Sequence, residues 1–287
     1  MPQATILDRF RSFARKPPRD MVRAVQATLT HLGRRLRGTG DGLAPGLAWP
    51  LLPPRALRHR FYAAARPDAD AEFDRYPELA ELIGPWLRHN ARNNQGDLPR
   101  LYALMLNIRQ VMEEEVPGDF AELGVYRGNS AAVLAHYARR HGREVFLFDT
   151  FAGFDAADRR GMDAAAPAAF GDTSLDLVRA NVGAERMRFF PGYFPGTVTE
   201  EVAARRFAVV HVDCDLHEPM KAALEFFHPR LSPGGLMILH DYANPHWPGA
   251  KAAADGFVRR VDAQLVLMPD KSGTAMLRKP RHAAAAG

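Results

Sequence analysis

The sequence has a single cysteine, Cys214, and no apolar run that approaches the length of a membrane span. One thiol excludes an intramolecular disulfide and suits a reducing compartment, so we expect the protein in the cytoplasm. A transmembrane helix needs about 20 consecutive apolar residues, and we therefore expect no transmembrane segment. The N-terminus also lacks the basic-then-apolar pattern of a secretory signal, because four basic residues interrupt residues 9–16.

Acidic residues are scarce at the N-terminal end of the chain. Residues 1–66 contain 13 Lys and Arg against 3 Asp and Glu, whereas the whole chain has a net charge of +5. A basic segment on a slightly acidic body could contact nucleic acid, anionic lipid or a partner subunit. A solvated helical face is the simpler interpretation, so we expect no nucleic-acid partner.

Residues 1–92 are predicted to form a helical, basic extension. Apolar residues recur there at spacings of three and four, on one face of a helix: Val22, Val25, Leu29, Leu32 and Leu36. Such a face packs on the body of the protein or on another subunit, which leaves a homo-oligomer through these helices open. Glycine and proline predict a linker at residues 38–54. Two further helices are expected, at residues 72–92 and after Asp97 as N-cap.

From residue 119 onward, short apolar strands alternate with helices. The predicted strands are residues 120–125, 144–150, 187–192, 207–215, 236–242, 264–269 and 274–278. The predicted helices lie near residues 130–141, 175–182, 220–228 and 250–262. This alternation predicts an α/β fold with a doubly wound, mainly parallel seven-stranded sheet over residues 93–280, followed by a disordered tail at 281–287. A hairpin loop at residues 269–273 makes the last strand antiparallel, which resembles the class I methyltransferase fold more than the dinucleotide-binding dehydrogenase fold.

A glycine turn follows the first predicted strand, in the stretch AELGVYRGNS. Its pattern is G-x-x-x-G, with Glu122 two places before Gly124 and with Gly128 at the start of a helix. A dehydrogenase would carry G-x-G-x-x-G for a pyrophosphate, which Glu122 would repel. The carboxylate could instead bind the ammonium end of S-adenosylmethionine. The alternative is that both glycines only shape a tight strand-to-helix turn.

An aspartate, Asp149, ends the second predicted strand in FLFDTFAGF. A carboxylate at this place can accept hydrogen bonds from both hydroxyls of a ribose. A helix N-cap is the structural alternative, and the two roles are compatible. Acidic residues at the ends of two successive strands favour a nucleoside-binding site.

The fourth and fifth predicted strands end in HVDCDLHEP and MILHDYANP. Asp213 and Asp215 are expected on one face, beside His240 and Asp241 on the neighbouring strand. Oxygen ligands from two strand ends suit Mg²⁺, although caps or ion pairs would use the same residues. Cys214, which lies between the two aspartates, is predicted as a small core residue. His211 is likewise predicted as a core histidine rather than a ligand.

From about Asn94 to Val258, the sequence resembles the macrocin O-methyltransferase family. The matching stretches are those quoted above together with NNQGDLPRL, TSLDLVRANV, FFPGYFPGTV and the SPGG segment. The resemblance implies methylation of a sugar hydroxyl, with S-adenosylmethionine and Mg²⁺ as cofactors and a sugar or glycoside as substrate. By resemblance, the cofactor contacts are Asn94, Glu122, Gly124, Val125, Tyr126, Gly128, Asp149, Thr150, Phe151, Gly153, Ser174 and Tyr193. The implied metal ligands are Asp213, His240 and Asp241, and Asp213 is also the implied general base.

The chain departs from the family pattern at His240, where members often carry an aspartate. His240 either supplies an imidazole ligand, which would make Mn²⁺ or Zn²⁺ conceivable in place of Mg²⁺, or does not bind the metal at all. The family's usual tyrosine after D-x-D-L is here His217. Two alternatives stay open: a metal-dependent hydroxylase of the related cephalosporin hydroxylase type, and a non-catalytic scaffold that binds a cofactor or a partner through the basic N-terminal segment.

Overall fold

The computed structural model describes residues 76–89, 97–261 and 263–281. Of the predicted N-terminal extension at residues 1–92, only residues 76–89 are described, and they include a helix as expected for residues 72–92. The linker at residues 38–54, Asn94 and the tail beyond residue 281 lie outside the described residues. The boundary near residue 92 therefore stays a prediction. No helix in the described part of the chain is long and apolar enough to span a bilayer.

In the described part of the chain, seven strands form one sheet in the order β3-β2-β1-β4-β5-β7-β6. The strands are β1 (Asp119–Leu123), β2 (Val145–Asp149), β3 (Met187–Pro191), β4 (Phe207–Val212), β5 (Leu231–Leu239), β6 (Val266–Leu267) and β7 (Ala275–Arg278). The first five strands are parallel, and β7 runs antiparallel to both β5 and β6. The predicted strand number and the antiparallel last strand are confirmed.

Helices cover both faces of this sheet. They are α1 (Glu78–His89), α2 (Leu98–Glu113), α3 (Asn129–His141), α4 (Leu175–Val182), α5 (Glu200–Ala203), α6 (His217–Arg230) and α7 (Pro248–Val261), with a short 3-10 helix at Gly161–Asp163. Alternate residues of β4 enter opposite cores, because strand side chains alternate. Val209 packs in the cluster that includes α1, α2 and α3, whereas Val210 packs in the cluster with α6 and α7. The α/β, doubly wound prediction is confirmed.

The predicted boundaries are wrong where β4 meets α6. Residues 207–215 were expected to continue as a strand, but β4 ends at Val212 and α6 begins at His217. Asp215 has a φ of 62°, in the left-handed region, which ends any extended strand. The chain therefore turns at the edge of the sheet, so Asp213 and Asp215 lie outside the strand and the alternation of strand side chains does not place them on one face.

Gly124 allows the turn after β1 to pack directly against the backbone at the end of β4. Its φ is +87°, and a Cβ added there would lie 2.0 Å from the carbonyl oxygen of Asp213. Only glycine allows this approach, because any side chain would collide with the neighbouring backbone. The glycine turn and the Asp213 segment are thus in direct backbone contact.

Candidate functional site

The carboxyl ends of β1, β2, β4 and β5 open into one cavity of about 370 Å³. Parallel strands place their carboxyl ends on the same edge of a sheet, which is where ligands bind in open α/β folds. Nine of the residues predicted from the sequence line this cavity: Gly124, Tyr126, Asp149, Thr150, Gly153, Tyr193, Asp213, His240 and Asp241. The structure therefore brings the two predicted subsites, for a nucleoside and for a metal ion, into one cavity.

Asp149 is held by the two turns on either side of it. Its Oδ2 accepts hydrogen bonds from the backbone N–H groups of Val125 and Tyr126, at 2.7 and 2.8 Å. Its Oδ1 accepts from the N–H of Phe151 at 2.7 Å. Val125 and Phe151 do not line the cavity themselves, but their N–H groups fix the carboxylate that does.

Two other predicted contacts have structural roles outside the cavity lining. Gly128, with a φ of +84°, is the N-cap of α3. Ser174 is exposed and is the N-cap of α4, where its Oγ accepts a hydrogen bond from the N–H of Leu177 at 3.1 Å. These positions stabilise the starts of the two helices beside the cavity.

Glu122 lies behind the cavity rather than on its surface. The residue is completely buried, and its Oε1 accepts a hydrogen bond from Ser130 Oγ and lies 2.8 Å from His211 Nδ1. The sequence-based expectation of a direct contact with an ammonium group does not match this placement, because Glu122 is not among the lining residues. His211 is fully buried as well, and the prediction of a hydrogen-bonded core histidine is confirmed.

Asp213, His240 and Asp241 form a compact cluster at the ends of β4 and β5. One candidate ligand atom from each residue lies within 4.8 Å of the other two. His240 Nδ1 lies 2.7 Å from Asp213 Oδ1 and 2.5 Å from Asp241 Oδ2. Its Nε2 is buried and has no hydrogen-bond partner among the described residues. The cluster thus combines two carboxylates with an imidazole that has one unused nitrogen.

Charges around this cluster control its ionisation. Burial opposes the charge of Asp213, but His240 and Arg100 hold its pKa well below the usual value. Burial and Arg100 also oppose protonation of His240, yet Asp213 and Asp241 raise its pKa to about 10. For Asp215, burial and the neighbouring carboxylates of Asp241 and Asp213 raise the pKa well above the usual value. Asp213 is therefore ionised in a site crowded with acids.

Arg100 of α2 is a site residue that the sequence analysis missed. Its Nη2 donates a hydrogen bond to Asp213 Oδ2 at 2.7 Å, and its side chain is 9% exposed. The available signal was an arginine next to the apolar stripe that begins at Leu101.

Asp97 was predicted as a capping side chain and occupies the N-cap position, but it makes no side-chain cap bond. Instead, its Oδ1 accepts a hydrogen bond from the N–H of Lys271 at 3.3 Å.

Cys214 is buried in the cluster with α6 and α7, as predicted for a core residue. Burial and the neighbouring carboxylates of Asp215 and Asp213 raise the pKa of its thiol well above the usual value. A protonated thiol is a poor nucleophile and a poor metal ligand.

Comparison with known proteins finds O-methyltransferases among the relatives of this chain. A model of the macrocin O-methyltransferase (TylF) family matches residues 95–272. The 8-demethyl-8-(2,3-dimethoxy-alpha-L-rhamnosyl)-tetracenomycin-C 4'-O-methyltransferase of Streptomyces olivaceus is 35% identical over 195 residues, which are 61% of this chain and 70% of that protein. The mycinamicin III 3''-O-methyltransferase of Micromonospora griseorubida is 33% identical over 165 residues, which are 52% of this chain and 64% of that protein.

Solved structures agree with this assignment. The O-methyltransferase NovP is 27% identical, with a TM-score of 0.54 over 64% of this chain and 80% of NovP. The calicheamicin methyltransferase CalS11 is 25% identical, with a TM-score of 0.55 over 79% of this chain and 93% of CalS11. The prediction of a methyltransferase is confirmed, and it is favoured over the hydroxylase and scaffold alternatives. Because the family model covers more than half of the sequence, the chain belongs to the macrocin O-methyltransferase family.

Proposed function

We propose that the protein transfers a methyl group from S-adenosylmethionine to a hydroxyl of a sugar or glycosylated metabolite, assisted by a divalent metal ion. The observation that carries this proposal is the shared cavity, which is lined by Asp149 as well as by Asp213 and Asp241. The relatives named for methylation of rhamnosyl and mycinamicin acceptors support the substrate class. The single cysteine, Cys214, is free and buried, which fits the cytoplasm as the proposed compartment.

The residues around the glycine turn suit S-adenosylmethionine. Gly124 and Tyr126 line the cavity at the end of β1, and Asp149 lines it at the end of β2. Three N–H groups fix the Asp149 carboxylate, and Oδ1, which accepts only one of them, keeps a lone pair for a ribose hydroxyl. Thr150, Gly153 and Tyr193 are further proposed contacts, while Asn94 stays a prediction. When bound, this cofactor supplies a methyl group that is already activated on a sulfonium.

The cluster of Asp213, His240 and Asp241 fits a divalent ion by its donor types. Its three ligand atoms converge within 4.8 Å, and the buried Nε2 of His240 has no partner among the described residues. Because the pKa of His240 is raised to about 10, an ion bound by its imidazole would displace a proton. Carboxylates suit Mg²⁺, and the imidazole makes Mn²⁺ or another transition ion an alternative. A divalent ion in such a site lowers the pKa of a hydroxyl that it binds.

Asp213 is the proposed general base. Its carboxylate is ionised and is held from two sides, by Arg100 at Oδ2 and by His240 at Oδ1. Each oxygen has a second lone pair with which to accept the proton of an acceptor hydroxyl. The Asp213 carboxylate is thus held in the cavity that Asp149 also lines. Holding the base and the two substrates in one cavity contributes to the rate.

Calorimetric titration with S-adenosylhomocysteine, followed by transfer of a labelled methyl group to rhamnosides, tests the proposal. We expect micromolar binding by the wild-type chain and at least tenfold weaker binding by Asp149→Asn, because a ribose hydroxyl loses a charged acceptor. Asp176→Asn is the matched control, since the Asp176 side chain is 94% exposed on α4. Failure of the wild-type chain to bind the nucleoside, or to methylate any glycoside offered, would contradict the proposal.

A further inference from the structure

A pair of buried polar residues that the proposed chemistry does not use lies behind the cavity. Glu122 of β1 and His211 of β4 are directly opposite each other in the register of the two strands, and neither side chain has any exposed surface. Neither residue lines the cavity. Polar side chains in the centre of a sheet cost free energy unless they make hydrogen bonds, so their contacts indicate what the pair does.

Glu122 determines which ring nitrogen of His211 carries the proton. Its Oε1 accepts a hydrogen bond from Ser130 Oγ and lies 2.8 Å from Nδ1 of His211. An oxygen that accepts needs a proton on its partner, so Nδ1 is the donor in this contact. An imidazole with its one proton on Nδ1 has a free lone pair on Nε2. His211 therefore presents an acceptor at its second nitrogen.

Arg100 lies against this second nitrogen. Its Nη2 is 3.4 Å from Nε2 of His211 and 2.7 Å from Oδ2 of Asp213. A guanidinium only donates, and Nη2 carries two N–H groups, so one can point at each acceptor. The Nε of Arg100 is buried and has no hydrogen-bond partner in the described part of the chain. The direction of the Nη2 group therefore depends on both His211 and Asp213.

The other tautomer of His211 would reverse this contact. A hydrogen bond of 3.4 Å is long and contributes little by itself. With the proton on Nε2, however, two N–H groups would face each other in a buried site, where their repulsion is poorly screened. Relief of that repulsion would move Arg100 away from Asp213, which would lose one of the two groups that hold its carboxylate. The tautomer thus affects the position of Asp213 from outside the cavity.

We propose that Glu122 and His211 are positioning residues that act on Asp213 through Arg100, with His211 held in the tautomer that carries its proton on Nδ1. This inference rests on the proposed function, because it takes Asp213 as the base. It gives Glu122 a role other than the cofactor contact that the sequence predicted. Since neither residue lines the cavity, their loss should lower kcat without weakening the binding of either substrate.

Nitrogen NMR of the histidine rings tests the tautomer without any turnover. Long-range proton–nitrogen correlation spectra of the isotope-labelled full chain separate protonated from unprotonated ring nitrogens. The spectrum of His211→Gln identifies the His211 signals among those of the 11 histidines. We expect a protonated Nδ1 and an unprotonated Nε2. A proton on Nε2, with or without one on Nδ1, would overturn the inference.

Two substitutions of His211 separate its two hydrogen bonds. Asparagine can place an amide N–H near the position of Nδ1, whereas glutamine can place an amide oxygen near that of Nε2. His211→Asn should therefore lower kcat about three- to tenfold, because Arg100 loses an acceptor, and His211→Gln should stay within about twofold of the wild-type kcat. His228→Asn removes a half-buried imidazole of α6 outside the cavity lining and is the matched control. Equal losses in the two His211 variants, or no loss in either, would contradict the inference.

Glu122→Leu separates a positioning role from a cofactor contact. We expect kcat to fall about three- to tenfold, while the Kd of S-adenosylhomocysteine stays within about twofold of the wild-type value. Calorimetry measures the Kd, and transfer of a labelled methyl group to a rhamnoside measures kcat. Nucleoside binding that is weaker by about tenfold or more, with kcat unchanged, would overturn the inference in favour of a direct contact. Failure of the wild-type chain to bind the nucleoside would instead remove the proposed function, so the two failures are distinguishable.

Discussion

The guanidinium of Arg100 donates a hydrogen bond to Asp213 at 2.7 Å and thereby ties α2 to the end of β4. The same guanidinium nitrogen lies 3.4 Å from Nε2 of His211, whose Nδ1 lies 2.8 Å from Glu122. A line of buried polar groups therefore runs from β1 across β4 to the cavity. The orientation of the proposed base depends on side chains from three different elements.

Replacement of Asp213 by alanine should abolish methyl transfer while S-adenosylhomocysteine still binds. A general base contributes about 10²–10⁴-fold to a rate, and Asp213 is also a proposed metal ligand. The assay is transfer of a labelled methyl group, with calorimetry of the nucleoside as the measure of an intact cofactor site. Wild-type turnover in this variant would exclude Asp213 from the chemistry.

Arg100 is expected to act as a positioning residue. Arg100→Leu should lower kcat by about ten- to a hundredfold, because Asp213 loses one of the two donors that fix it. Arg100→Lys should recover part of the rate, since an ammonium keeps the charge but not the fork of donors. The nucleoside Kd should change less than twofold in both variants. An equal fall in kcat and in nucleoside affinity would indicate a structural defect instead.

The convergence of Asp149, Asp213 and Asp241 was predictable from the sequence. Each lies at the end of an apolar strand or directly after it, and parallel strands place their carboxyl ends at one edge of a sheet. The local pattern and the topology therefore give the same answer. The seven strands were predictable for the same reason, because strand patterns alternate with helix patterns along the chain.

The surroundings of these acids were not predictable in the same way. Glu122 is withdrawn from the cavity because His211 and Ser130 bind its carboxylate, and these contacts depend on the packing of β4 and α3 beside β1. Arg100 reaches Asp213 across 113 positions of sequence. No local pattern specifies how α2 docks on the sheet, so contacts of this kind appear only in the folded chain.

His240 should set the metal preference of the site. We expect EDTA to stop turnover, and we expect Mn²⁺ to bind the wild-type chain more tightly than Mg²⁺, because an imidazole favours transition ions over Mg²⁺. His240→Asp should lower the ratio of the Mg²⁺ dissociation constant to the Mn²⁺ dissociation constant by about tenfold, because it supplies a third carboxylate in place of the imidazole. Calorimetric titration of each ion measures binding independently of activity. Full turnover in EDTA would remove the metal from the mechanism, and identical ion preference in both chains would remove His240 from the ligands.

The contact between the glycine turn and β4 gives a prediction about stability. Gly124→Ala should strongly destabilise the fold, because its Cβ would lie 2.0 Å from the Asp213 carbonyl oxygen and its φ is +87°. A left-handed φ costs a non-glycine residue about 1–2 kcal/mol, and displacement of the β4 backbone adds to this. The variant should also lose methyl transfer, since any relief of the collision moves Asp213.

Gly142→Ala is the matched control for this substitution. Gly142 also has a positive φ, of +67°, but nothing lies within 4 Å of a Cβ added there. Its replacement should therefore lower the free energy of unfolding by only about 1 kcal/mol and leave the kcat of the folded chain unchanged. Urea unfolding of both variants measures the difference. Similar losses in the two variants would mean that the backbone conformation alone, and not the approach of Gly124 to Asp213, requires glycine in the turn.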